Sequence, residues 1–143
     1  MLLPHGYDGA GPEHSSSRVE RYLQLCDQDE ELPENPETYD RQDILSKTNM
    51  EVCHPSTAAN YFHLLRTHMR MPFRKPLIVV APKKLLRFKG ACSTIDDLKT
   101  GTRFMPVISD QNKALVAPEK VRKVVLCSGQ VYYDLEAARA KAG

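Results

Sequence analysis

The segment FRKPLIVVAPKK, residues 73–84, decides the fold. Its centre, Leu77 to Ala81, is an unbroken run of aliphatic and β-branched side chains with no polar alternation. A strand with one wet face alternates apolar and polar residues. A continuous run suits a strand buried on both faces of a parallel sheet. The Arg74-Lys75-Pro76 step ends the connection before it, and the pattern changes after Pro82.

Working back from this strand, Pro55-Ser56-Thr57 opens a helix that runs to about Met69. Tyr61, Leu64, Leu65 and His68 recur at i, i+3, i+4 and i+7 and predict its buried face. Met50 to His54 reads as a short strand. Residues 27–46 are acidic, carry Pro33 and Pro36, and read as a long surface loop or insertion. Residues 16–26 read as a helix capped by Ser15 or Ser16, with Val19, Tyr22, Leu23 and Cys26 on one apolar face. Residues 2–4 read as the end of a strand and residues 5–14 as a loop. The order strand–helix–strand–helix–strand over residues 2–81 predicts an α/β domain with right-handed crossovers. Ligands of such domains sit beyond the carboxyl ends of the strands, where His5 and His54 both fall.

Downstream, residues 83–100 are basic and irregular, with a short helix expected near 94–99. Residues 102–108 read as a strand, 109–120 as a polar loop, and KVVLC at 123–127 as a clear strand. A Ser128-Gly129 turn then leads into a helix over 130–142. This is the opening of a second α/β unit, and one strand with one helix cannot bury much core. The sequence is therefore expected to begin and end within domains.

The chain has 143 residues, 41% hydrophobic and 27% charged, which fits one domain's worth of globular protein. Net charge is +2, but twelve of the 18 acids and only six of the 20 bases precede Pro72. The first half thus carries −6 and the second +8, a polarity that suits uneven solvated surfaces, pairing of the halves or a partner. Cys26, Cys53, Cys92 and Cys127 form no CxxC pair, a poor disulfide or zinc framework. Cys26, Cys53 and Cys127 lie in apolar contexts and read as buried thiols. No apolar run approaches the ~20 residues of a membrane span, and no signal or transit pattern opens the chain.

The loop between the first strand and helix holds the first candidate for chemistry. His14 precedes a helix start, where backbone N–H groups and the dipole favour anions and lower a nearby imidazole pKa. It can cap the helix or face solvent, or it can bind a carboxylate or carry a proton. Gly6, Gly9 and Gly11 do not have dinucleotide or P-loop spacing and read as a tight loop. His5, His14, His54, His63 and His68 lack a metal-ligating pattern, so no metal site is expected. Basic residues from Arg70 to Lys89 read as a solvated face, a subunit interface or a phosphate contact. The buried-type strand through their middle argues against nucleic acid.

Four blocks in order resemble one family. LLPHGYDGAGPEHSSSRVERYLQLC at 2–26, VCHPSTAANYFHLLR at 52–66, FRKPLIVVAPKKLLR at 73–87 and VVLCSGQVYYDL at 124–135 are similar to the first, decarboxylating component of 2-oxoglutarate dehydrogenase. That resemblance implies that residues 1–84 are the end of a transketolase-like pyrimidine-binding domain and 85–143 the start of a C-terminal domain. It implies that His14, in GPEH, is the active-site histidine near the 2-oxo acid. It gives no catalytic role to His5 and no cofactor-binding or metal residue in this chain. The family's partners would be 2-oxoglutarate, a lipoyl-bearing succinyltransferase second component and a second copy in a homodimer. Its place would be the mitochondrial matrix in a eukaryote and the cytoplasm in a bacterium.

The departures bear on activity. No GDG…N segment for the diphosphate and magnesium is present, nor the upstream glutamate that activates the cofactor's aminopyrimidine. Residues 27–46 differ from typical members, and Gln130 stands where a lysine is common. Neither thiamine diphosphate nor magnesium is therefore expected to bind this chain alone, and the chain alone is expected to be inactive. The alternative is a non-catalytic interaction module, or an acyl-CoA or nucleotide site near Arg74 to Arg87.

Overall fold

The computed structural model describes residues 1–7, 16–28, 41–110 and 116–142. Among these, three strands form one parallel sheet, β1 (Leu2–His5), β2 (Glu51–Cys53) and β3 (Leu77–Pro82), in the order β1-β3-β2. The register sets Leu2 against Val79 and His5 against Pro82 on one side of β3. On the other side Glu51 faces Leu77 and Cys53 faces Val79. The central strand is the one with the unbroken apolar run, and all six of its residues are buried. This matches the α/β class read from the sequence.

The helices are α1 (Val19–Leu25), α2 (Arg41–Lys47), α3 (Ala58–Arg70) and α4 (Gln130–Ala142). Thr57 caps α3 as its side chain accepts from Asn60 N at 3.2 Å. Leu64 of α3 is fully buried and packs with Leu77 and Val79, edged by Cys53, Tyr61 and Phe104. Burying such a side chain stabilises by roughly 1.5–3 kcal/mol, so this contact ties helix to sheet.

The predicted apolar face of α3 is only partly right. Leu65 is 45% exposed, whereas Asn60 and His63 are buried beside Leu64. These polar residues receive the chain that follows β3. Asn60 Nδ2 donates to Met105 O at 2.9 Å, and Met105 N donates back to Asn60 Oδ1 at 2.8 Å. His63 Nε2 bonds Asp97 O at 2.8 Å, Arg66 donates to Thr102 O at 2.9 Å, and Ala59 N donates to Ser93 Oγ at 2.9 Å. The short helix expected near 94–99 is a 3-10 turn, Ile95–Leu98, with a Thr94–Asp97 capping box.

Two expected strands do not form. Residues 102–108 have no strand partner, because side chains of α3 satisfy their backbone instead. Residues 123–127 join no strand among the described residues, with Val124 78% and Leu126 88% exposed. Their β-propensity is real, but a strand needs a neighbour to bond.

Three further readings need correction. The 27–46 segment is not all loop, since α2 closes it, while residues 29–40 lie outside the described set. Lys75 Nζ caps α2 by donating to the carbonyls of Leu45 (2.9 Å), Ser46 (2.7 Å) and Thr48, and it rests over the Phe73 ring. Asn49 Nδ2 donates to Leu25 O, and Asp27 and Asn49 exchange backbone-to-side-chain bonds that pin the two ends of the segment together. Helix α1 starts later than its serines predict, because Ser17 and Arg18 take left-handed φ values of 48° and 49°. Leu23 of its expected apolar face is 56% exposed. Of the thiols read as buried, Cys26 and Cys53 are half-buried and Cys127 is exposed, because its strand lacks a sheet. No helix among the described residues is long and apolar enough to cross a membrane.

Candidate functional site at the carboxyl edge of the sheet

Parallel strands end together, so the residues that follow them gather at one edge. His5 closes β1 and is 7% exposed, His54 follows β2, and Pro82 closes β3. The His5 and His54 rings meet edge-on at 5.6 Å between centroids, and Tyr7 lies 5.3 Å from His5. Both histidines are where the strand order predicts them. His14, the residue singled out by resemblance, lies outside the described residues.

The second half of the chain closes this edge from one side. Gly129, at φ +66°, donates its N–H to Ser56 Oγ at 2.8 Å. Tyr133 OH donates to Ser56 O at 2.7 Å, and Phe88 stacks edge-on against Tyr133 at 5.5 Å. A Cβ at Gly129 would fall 2.8 Å from His54 Cε1 and Nε2, so only glycine lets the turn approach this ring. Gln130 is buried; its Nε2 donates to Asp134 while its Oε1 has no partner among the described residues. Sequence reading found the Ser128-Gly129 turn but not what it touches.

Electrostatics follow from this packing. Burial and then the adjacent His5 hold the His54 imidazole below the ordinary histidine value of 6.5. Burial, with Tyr132, Glu136 and Cys92 nearby, raises the Tyr133 phenol, which keeps it a neutral donor. His63 and His68 serve other ends of α3, His63 on Asp97 O and His68 on buried Glu51 at 2.8 Å. Among the described residues no group of three or more His, Cys, Asp or Glu could hold a metal ion.

Beside the edge, Lys83, Lys84, Leu86, Arg87 and Phe88 line an open depression of about 570 Å³. Arg74 and Lys75 stand at the other end of β3, roughly 20 Å away at the usual rise per strand residue. The basic stretch therefore does not make one continuous surface.

Comparison with known proteins decides the family. Residues 1–89 match the transketolase pyrimidine-binding domain, and residues 92–143 match the 2-oxoglutarate dehydrogenase C-terminal domain. The chain belongs to the family of 2-oxoglutarate dehydrogenase first components. It is 50% identical over 143 residues to the human 2-oxoadipate dehydrogenase complex component E1. It is 52% identical over 135 residues to the component of that name from Danio rerio, and 46% over 147 residues to the mitochondrial 2-oxoglutarate dehydrogenase of Caenorhabditis elegans. The human and nematode alignments take in all of this chain but 14% of each relative, and the Danio rerio alignment 94% of this chain and 13% of that relative.

The family depends on thiamine diphosphate. The donors described at the sheet edge are ring nitrogens, a phenol, a serine and a backbone N–H. Magnesium held with a diphosphate needs carboxylate oxygens, and no carboxylate is among these groups. The described residues do not fit that group.

Proposed function

We propose that this chain forms one wall of the active site in the first component of a 2-oxo acid dehydrogenase, acting on a linear 2-oxo dicarboxylic acid such as 2-oxoglutarate or 2-oxoadipate. The observation that carries the reading is the meeting of His5, His54 and Gly129 at the carboxyl edge of a parallel sheet. Relatives named for both substrates support the substrate class. His14 is assigned the catalytic role near the 2-oxo acid, as a group that orients it or moves a proton. Thiamine diphosphate and magnesium would be held by residues that this chain does not supply, so the chain alone releases no carbon dioxide. The acyl product passes to a lipoyl-bearing second component, the succinyl group where 2-oxoglutarate is the substrate. The working form is a homodimer, and relatives named mitochondrial support a place in the mitochondrial matrix. Residues 1–84 act as the pyrimidine-binding part and 85–143 as the C-terminal part. Nucleic acid and membrane are not partners in this reading.

The test is a chimaera in which this chain replaces the matching segment of a 2-oxoadipate dehydrogenase component. Turnover of at least one of the two dicarboxylates is expected. Replacing His14 by Ala should then cost about 10²-fold or more in kcat. A folded, cofactor-loaded chimaera that turns over neither substrate overturns the reading.

The basic depression at Lys83, Lys84 and Arg87 favours a second reading, a non-catalytic site for an acyl-CoA or a nucleotide. An inactive chimaera together with saturable binding of acetyl-CoA or AMP to the isolated chain would select it.

A further inference from the structure

His54 has no evident duty in the fold. Among the described residues, no hydrogen bond holds either of its ring nitrogens. The residue keeps access to solvent, while the Cε1–Nε2 side of its ring faces Gly129. Its position is nevertheless fixed from two directions. His5 sits edge-on to it from the end of β1, with the two ring planes at 75°. Gly129 presses against it from the start of α4, and Ser56 and Tyr133 hold that turn in place.

A side chain that is positioned but makes no bond of its own is what a binding group looks like before its ligand arrives. Among the described residues the groups facing it are few. His5 is the titratable neighbour, with Tyr7 against His5 in turn, and Gly129 brings no charge. A neutral imidazole here donates one N–H to an anion, and the anion then favours its protonation, which strengthens the bond. The site lies at the strand ends, where ligands of parallel α/β sheets are held.

We infer that His54 receives the carboxylate remote from the keto group of a 2-oxo dicarboxylic acid, with His5 beside it and Gly129 keeping its ring in place. This rests on the dehydrogenase reading above. In that reaction one carboxylate leaves as carbon dioxide, so the other is the handle by which a dicarboxylate is told from a monocarboxylate. A single imidazole suits a single carboxylate.

The experiment is an NMR titration of the His54 ring signals in the full chain, with 2-oxoadipate, glutarate and the monocarboxylate 2-oxobutyrate as probes. The two dicarboxylates should shift those signals saturably and raise the pH midpoint of His54. 2-Oxobutyrate should do neither at the same concentration. H54A should weaken dicarboxylate binding about tenfold, and H54Q, which keeps an N–H donor, should recover part of it. G129A should displace the ring and weaken binding even with residue 54 intact. The inference is overturned if dicarboxylates leave the His54 signals of the folded chain unmoved, or if H54Q and H54A bind them as tightly as the parent. It is also overturned if 2-oxobutyrate produces the same shifts. Dicarboxylate binding with an inactive chimaera would sink the dehydrogenase reading alone, and an active chimaera without His54-dependent binding would sink this inference alone.

Discussion

The sheet with α3 and the segment that follows β3 are held by different forces. In the first, β3 is buried throughout and Leu64 seals it from above. In the second, residues 93–105 are fastened by Ser93, Asp97, Thr102 and Met105 to polar groups on one helix. Hydrophobic burial is non-directional and tolerates small shifts. Hydrogen bonds fix a register but contribute little net stability each, about 1 kcal/mol. The comparison teaches that one part of this molecule is a core and the other a strap, placed accurately but weakly.

Breaking the core should have the largest effect. L64A removes a fully buried side chain touching Leu77 and Val79, and about 2–5 kcal/mol of stability should go with it. Urea unfolding should show the loss, and β3 amides should exchange faster in proportion. Breaking the strap should be milder and local. N60A removes both bonds to Met105 and should cost about 1–3 kcal/mol. Hydrogen exchange should rise at residues 102–106 while residues 77–81 stay protected. Equal loss of protection in both would mean that core and strap are one cooperative unit.

The smallest effect is a dependence on pH. The His54 imidazole takes a proton less readily folded than unfolded, where the value is 6.5. Below that value the unfolded chain binds more protons, so stability falls as pH drops. The fall levels off once folded His54 is protonated too. Urea midpoints between about pH 8 and about pH 5 should show a shallower slope in H54Q than in the parent. Identical slopes would place the titration elsewhere.

Much of the core was legible. The Leu77 to Ala81 run signals a doubly buried strand because no residue in it is polar, and the strand order alone sends His5 and His54 to one edge. The same signal misleads at Val124 to Leu126, because propensity is local while a strand needs a partner. Periodicity counts apolar residues, so it missed Asn60, His63 and Arg66, whose i, i+3, i+6 spacing marks a second, polar face of α3. Gly129 against His54 spans 75 positions of sequence and is set only by the packing of α4 on Ser56.

The unpaired Val124 to Leu126 run has a practical side. Lys120, Arg122 and Lys123 stand immediately before it and act as gatekeepers, since two chains that approach through this run bring their cations together. That protection is electrostatic, and salt shortens its reach to about 10 Å at 0.1 M. Purification of this chain in high salt therefore removes the barrier against self-association while leaving the sticky run bare.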